Sequence, residues 1–163
     1  MKRVLRALEY CMLSGEPFSQ QTARSREAEP PYRYMMFCPV FRVRLKLYDS
    51  IDRRVDQMLD QGLLDEAERF YAFCRTAAKP PTAAQSIGYK ELFPYFRGEV
   101  PLREAVENIK RESRRYAKRQ LTWFAREPEV RNLYMDELGS TDAALAECLR
   151  QIDEAEFLGG KDG

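Results

Sequence analysis

The 163 residues suffice for about one domain with a core of its own. Charged residues make up 33% of them, but 27 Lys and Arg stand against 26 Asp and Glu, so net charge alone points to no polyanion partner. Histidine is absent, which excludes His-based triads, His metal sites and a His general base and leaves acid–base chemistry to Asp, Glu, Lys, Tyr or Cys.

Cys11, Cys38, Cys74 and Cys148 are widely spaced, with no C-x-x-C pair, so they read as buried or half-buried thiols, not as structural zinc or a disulfide framework. There is no apolar run of membrane-spanning length and no signal segment, so no membrane partner is expected and the default location is the cytoplasm.

In chain order, Val4, Leu5, Leu8, Met12 and Leu13 recur at helical spacing over 1–13, with Gly15 placed to cap the helix. Residues 16–33 are polar and end in Pro30-Pro31, which predicts a loop. The apolar run 34–38 ahead of Pro39 suits a buried strand. A helix over 47–61 presents Leu47, Ile51, Val55, Met58 and Leu59 on one side and ends at Gly62; a second runs over 64–75. A loop at 76–82 holds Pro80-Pro81, and a short helix ending near Phe96 contains Pro94, which should keep it short or kinked.

The clearest element is a long helix from about Pro101, a good first-turn residue, to about Arg126, stopped by Glu127-Pro128. Residues 130–134 suit a last strand, Thr141 an N-cap for a helix to about Phe157, and 159–163 a frayed tail.

Six of the ten residues from Lys110 to Arg119 are basic: Lys110, Arg111, Arg114, Arg115, Lys118 and Arg119. At about 100° per residue they cover one half of the helix. Leu102, Ala105, Val106, Ile109, Tyr116, Ala117 and Phe124 occupy the other. Like charges four residues apart repel. A helix that keeps this repulsion gains most simply from phosphate contacts, although a solvated face is the bland alternative. Gln120 falls near the centre of the apolar stripe, either as a buried amide tying core elements together or as a hydrogen-bonding group in a pocket. Trp123 and Phe124 read as packing residues.

The segment Ser113-Arg114-Arg115-Tyr116-Ala117-Lys118-Arg119-Gln120-Leu121-Thr122-Trp123-Phe124 resembles the signature helix of the tRNA dimethylallyltransferases, also called tRNA isopentenyltransferases. Three more blocks agree in order. Residues 2–9 with Ser14-Gly15 resemble the family's RALE and SG helix, 51–59 with Gly62-Leu63 its I..RV..M and GL helix, and 85–92 with Gly98-Glu99 its IGYKEL and GE segment. The resemblance runs from about Lys2 to Tyr134.

The resemblance implies a mostly helical chain with a few short strands, the C-terminal part of a P-loop NTPase-like α/β fold including the end of its helical insertion. Residues 1–33 would close the tRNA-binding insertion, 34–134 would belong to the transferase core, and 135–163 would form a C-terminal helix and tail. The family moves a dimethylallyl group from dimethylallyl diphosphate to the exocyclic amine of the adenine 3′ of the anticodon, with that base flipped into a channel and magnesium helping to bind the diphosphate. The implied partners are the tRNA anticodon stem-loop and dimethylallyl diphosphate, with a monomer expected for the full-length enzyme.

Carried over by match, the tRNA-binding residues would be Lys2, Arg3, Arg6, Gln85, Ser86, Ile87, Gly88, Tyr89, Ser113, Arg114, Arg115, Tyr116, Lys118, Arg119 and Gln120. Arg54 would bind the diphosphate, unless it is an ion-pair partner of Asp52 or Asp56. No G-x-x-x-x-G-K-[ST] string is present. The family's catalytic Asp and its magnesium ligands belong with that loop, so no catalytic or metal residue is expected here, and the chain alone should be inactive. The alternative is a non-catalytic helical RNA-binding module.

Overall fold

The computed structural model describes residues 2–27, 32, 34–127 and 129–155, with only the backbone of 2, 3, 26 and 27. The chain divides into two compact units, 1–34 and 35–163. The expected tail at 159–163 and the expected helix end at Phe157 lie outside the described residues, as do Pro30 and Pro31.

The first unit holds α1 (Lys2–Ser14) and α2 (Phe18–Glu27). The second helix corrects the expected loop over 16–33: its residues are polar, yet Ala, Gln, Arg and Glu are adequate helix formers. Glu16 pairs with Arg24, and Tyr10 meets Phe18 edge-on at 5.7 Å, which joins the two helices.

The second unit begins with β1 (Met36–Val40), then α3 (Arg44–Asp60), α4 (Leu63–Thr76), a 3-10 turn (Thr82–Gln85), α5 (Tyr89–Phe96) and α6 (Leu102–Phe124). β2 (Val130–Tyr134), the one-turn α7 (Met135–Leu138) and α8 (Thr141–Glu154) follow. The mostly helical reading with few strands therefore holds. β1 pairs parallel with β2, Met36 opposite Val130 through Val40 opposite Tyr134. The strand runs two residues later than expected and includes Pro39, which a two-stranded sheet tolerates because each strand keeps an edge. Helix α8 is capped by Ser140, whose Oγ accepts the Ala143 N–H at 3.1 Å, and not by Thr141, which is already helical.

Val55, Leu63, Ala67, Leu92, Ala105 and Ile109 form the buried core where α3, α4, α5 and α6 meet. The stripe read from α3 is thus its core face, with Val55 at the centre and Met58 and Leu59 packed against it. The start of α3 is fixed from a distance: Asp136 accepts the backbone N–H groups of Arg42 at 3.1 Å and Val43 at 3.2 Å. Desolvation alone would raise the Asp136 carboxyl, but these two bonds, its own backbone N–H and the charge of Lys46 together hold it below the usual range. Arg42 completes the clamp by stacking 3.7 Å from the Tyr134 ring and pairing with Glu137. The β1–α3 turn is in this way tied to the β2–α7 turn.

Candidate nucleic-acid interface

Helix α6 changes environment along its length. In its first half Ala105 and Ile109 are buried against α3 and α5. In its second half the apolar stripe leaves the core, and Tyr116 is 49% exposed. The apolar half of the helix is thus core only in part: the partners that bury Ile109 do not extend about two turns further, to Tyr116. One of the two readings of Gln120, and the packing reading of Trp123, fall for the same reason. Gln120 is exposed, so it is not a buried tie, and Trp123 is 54% exposed, meeting Phe124 edge-on at 4.9 Å without packing into a core.

A groove of about 700 Å³ opens where α6 emerges. Ile51, Val55, Met58, Ile87, Ile109 and Ala117 give it an apolar floor. Its polar groups come from three elements: Arg54 on α3, Gln85 through Gly88 and Lys90 before and on α5, and Ser113, Tyr116, Arg119 and Gln120 on α6. The Arg119 guanidinium lies 5.6 Å from the Tyr116 ring centroid, a distance at which cation and ring attract. No carboxylate is among the lining residues.

Gly88 shapes the middle of this groove. Its φ of +106° is closed to most side chains, and a Cβ there would meet nothing within 4 Å, so glycine is needed for its conformation and not for room. The Gly88 N–H donates to the Glu91 carboxylate at 2.9 Å. Glu91 is buried, and its other oxygen lies 3.6 Å from the Lys90 ammonium. This is the reaching-back half of a capping box at the start of α5.

The fifteen residues predicted to face tRNA do not all gather here. Gln85, Ser86, Ile87, Gly88, Ser113, Tyr116, Arg119 and Gln120 line the groove together, with Arg54 beside them. Tyr89 does not line it. Its hydroxyl donates to Glu66 and its ring lies 4.7 Å from Phe70, both on α4, and the Glu66 hydrogen bond followed by burial raises its pKa. Arg114 places one nitrogen 2.5 and 2.7 Å from the two Asp52 carboxylate oxygens, and Arg115 reaches Glu112 at 2.7 Å. Lys110, counted in the basic face, pairs with Asp56 at 2.7 Å and its side chain is only 14% exposed. Lys118 lines a second depression of about 460 Å³ with Arg44, Arg126, Leu47 and Leu121. Arg6 is exposed in the first unit, and the side chains of Lys2 and Arg3 lie outside the described residues.

The basic face is therefore two surfaces. Lys110 and Arg114 form a ladder with Asp56 and Asp52 that fastens α6 to α3. Arg119 remains for the groove. Arg54 makes no ion pair among the described residues, since Asp52 and Asp56 are taken by α6. Lys90 is the one groove cation the sequence reading passed over, although it stands inside the quoted block 85–92. The four cysteines are free, Cys38 buried and the others half-buried.

No helix of the described residues is long and apolar enough to cross a membrane. The same residues contain no group of three Asp, Glu, Cys or His able to hold a metal ion. With a groove lining free of carboxylates as well, the described residues do not fit magnesium.

A family model described as IPP transferase matches residues 1–127. The tRNA dimethylallyltransferase of Halalkalibacterium halodurans is 44% identical over 129 residues, 79% of this chain and 40% of that protein. The tRNA dimethylallyltransferase of Lachnoclostridium phytofermentans is 40% identical over 162 residues, 97% of this chain and 50% of that protein. The crystal structure of a tRNA delta(2)-isopentenylpyrophosphate transferase from Staphylococcus epidermidis superposes with a TM-score of 0.69 at 36% identity, covering 94% of this chain and 48% of that one. The chain thus spans about half the length of the curated relatives it matches. Most of its length fits one family model, and its fold follows that of a solved relative over nearly all its residues, so the chain belongs to the IPP transferase family.

Proposed function

We propose that this chain forms the tRNA-facing and diphosphate-facing part of a tRNA dimethylallyltransferase, whose reaction joins a dimethylallyl group to the exocyclic amine of the adenine 3′ of the anticodon. The observation that carries the reading is the single groove shared by Arg54, Gln85 through Gly88, and Ser113, Tyr116, Arg119 and Gln120. Its apolar floor suits a base and a prenyl chain, and its amides and hydroxyls suit the edges of an extruded adenine. Arg54 suits the diphosphate because a guanidinium is always charged and binds phosphate oxygens in pairs. As diphosphate leaves an allylic carbon, negative charge grows on it, and a cation aimed there lowers the barrier.

On this reading the first unit closes the helical tRNA-binding insertion, with Arg6, and Lys2 and Arg3 by match, toward tRNA phosphates. Residues 34–134 belong to the transferase core, and 135–163 to a C-terminal helix and tail. The proton acceptor and the magnesium ligands belong with a phosphate-binding loop, for which these 163 residues hold no motif.

The test is the affinity of this chain for an anticodon stem-loop RNA carrying adenine 3′ of the anticodon, measured by fluorescence anisotropy from low to high salt. Phosphate contacts give a linear fall of log affinity with log salt, about 0.7 per single-stranded phosphate neutralised. Binding that ignores salt, or no binding at all, sinks the reading.

A further inference from the structure

Helix α3 carries Arg54 but brings no side-chain cap of its own: Val43, its N-cap residue, makes no such hydrogen bond. Its leading turn is held instead from far along the sequence. The Asp136 carboxylate accepts the Arg42 N–H at 3.1 Å through one oxygen and the Val43 N–H at 3.2 Å through the other. Arg42 adds its pairing with Glu137 and its stack on Tyr134. These partners come from the turn between β2 and α7, beyond the residues 1–127 that the family model matches. Val40 and Tyr134 are opposed at the carboxyl ends of two parallel strands, the side of such a sheet on which ligands sit. The main packing of α3 is against α6 and α4, so the clamp is what ties its leading turn to the sheet. Arg54 stands about 15 Å along the helix from Arg44 and makes no ion pair among the described residues, so the helix itself sets its aim. The Asp52–Arg114 and Asp56–Lys110 pairs flank it, but they join α3 to α6 through long side chains that tolerate a shift of the helix. A short carboxylate bonded to two consecutive main-chain N–H groups tolerates far less.

We infer that Asp136 is a positioning residue for the proposed reaction: by bonding the turn that opens α3, it sets that helix against the carboxyl end of the sheet and so aims Arg54 at a diphosphate. The inference deepens the proposed function and rests on the role given there to Arg54.

The experiment compares the isotope-labelled full chain with its Asp136→Ala, Asp136→Asn and Ser140→Ala variants, each checked for folding by far-UV circular dichroism. NMR follows the Arg54 Nε–H, identified by its loss in Arg54→Ala, and calorimetry gives the affinity for inorganic diphosphate. Ser140→Ala removes the α8 cap from the same C-terminal segment and is the control for a merely structural change. In Asp136→Ala the Arg54 signal shifts and diphosphate affinity drops by about threefold or more, a loss that disappears in an Arg54→Ala background. Asp136→Asn can accept only one of the two N–H groups and falls between wild type and Asp136→Ala. Ser140→Ala changes neither readout. Should Asp136→Ala not fold, Asp136→Asn carries the comparison. If the wild-type chain binds diphosphate through Arg54, the proposed role of Arg54 stands. The inference is then overturned by a diphosphate affinity that the Asp136 variants leave unchanged, or by a loss that persists in the Arg54→Ala background. If the wild-type chain binds diphosphate no better than Arg54→Ala does, the proposed role of Arg54 falls. The Arg54 signal alone then decides: a shift in Asp136→Ala supports the positioning, and an unmoved signal overturns it.

Discussion

Glu91 carries a role out of proportion to its place in the sequence, where it reads only as the acid of a short helix. Buried at 8% exposure, its carboxylate satisfies the Gly88 N–H and faces Lys90, so one side chain sets both the cap of α5 and the rim of the groove. Glu91→Ala leaves that N–H without its acceptor, an omission that costs about 1–3 kcal/mol. Glu91→Gln keeps an oxygen that can accept the same bond and should lose clearly less. Urea denaturation of the two variants checks this, and equal stabilities would show that the cap contributes nothing. The block 85–92 was legible as a motif, whereas the positive φ that requires glycine at 88 was not. The inward turn of Tyr89 and the outward turn of Lys90 were not, because at the first turn of a helix the choice of face depends on where α4 lies.

At the scale of the element, α6 shows what periodicity can and cannot tell. Its half-apolar, half-basic division was readable, and the buried Ala105 and Ile109 match the apolar half. Periodicity treats the stripe as uniform, whereas the core covers only its first half, and Tyr116, Gln120 and Trp123 lie beyond the reach of α3 and α5. The basic half misled in the opposite sense, since two of its cations face acids on α3 that are distant in sequence. This separates stability from binding. Asp52→Ala removes the partner of a half-buried Arg114 and should cost about 1–2 kcal/mol of stability, less than a fully buried pair because solvent screens it in part. It also releases a guanidinium, so RNA affinity should hold or rise. Arg119→Ala should do the reverse, weakening RNA binding with stability within about 0.5 kcal/mol of wild type, as for an exposed side chain. Thermal melts and anisotropy on both variants measure the two axes, and a loss of RNA affinity in Asp52→Ala would refute the division of labour.

For the whole molecule, the near balance of 27 cations and 26 anions hides a local asymmetry. Acids on α3 neutralise part of α6, and a groove with three cations and no carboxylate is left open. Such a surface can bind phosphates and a base, but it supplies no carboxylate to take the amine proton and no cluster to hold a divalent ion. Binding and turnover should therefore part company in these 163 residues. Incubated with dimethylallyl diphosphate, magnesium and a substrate tRNA, the chain should bind the tRNA and yield no prenylated adenine by mass spectrometry of the digested nucleosides. Detectable turnover would mean that a residue of this chain accepts the proton. Tyr116 and Lys90 would then be the first side chains to replace, since they are the groove's only groups, besides its arginines, that titrate.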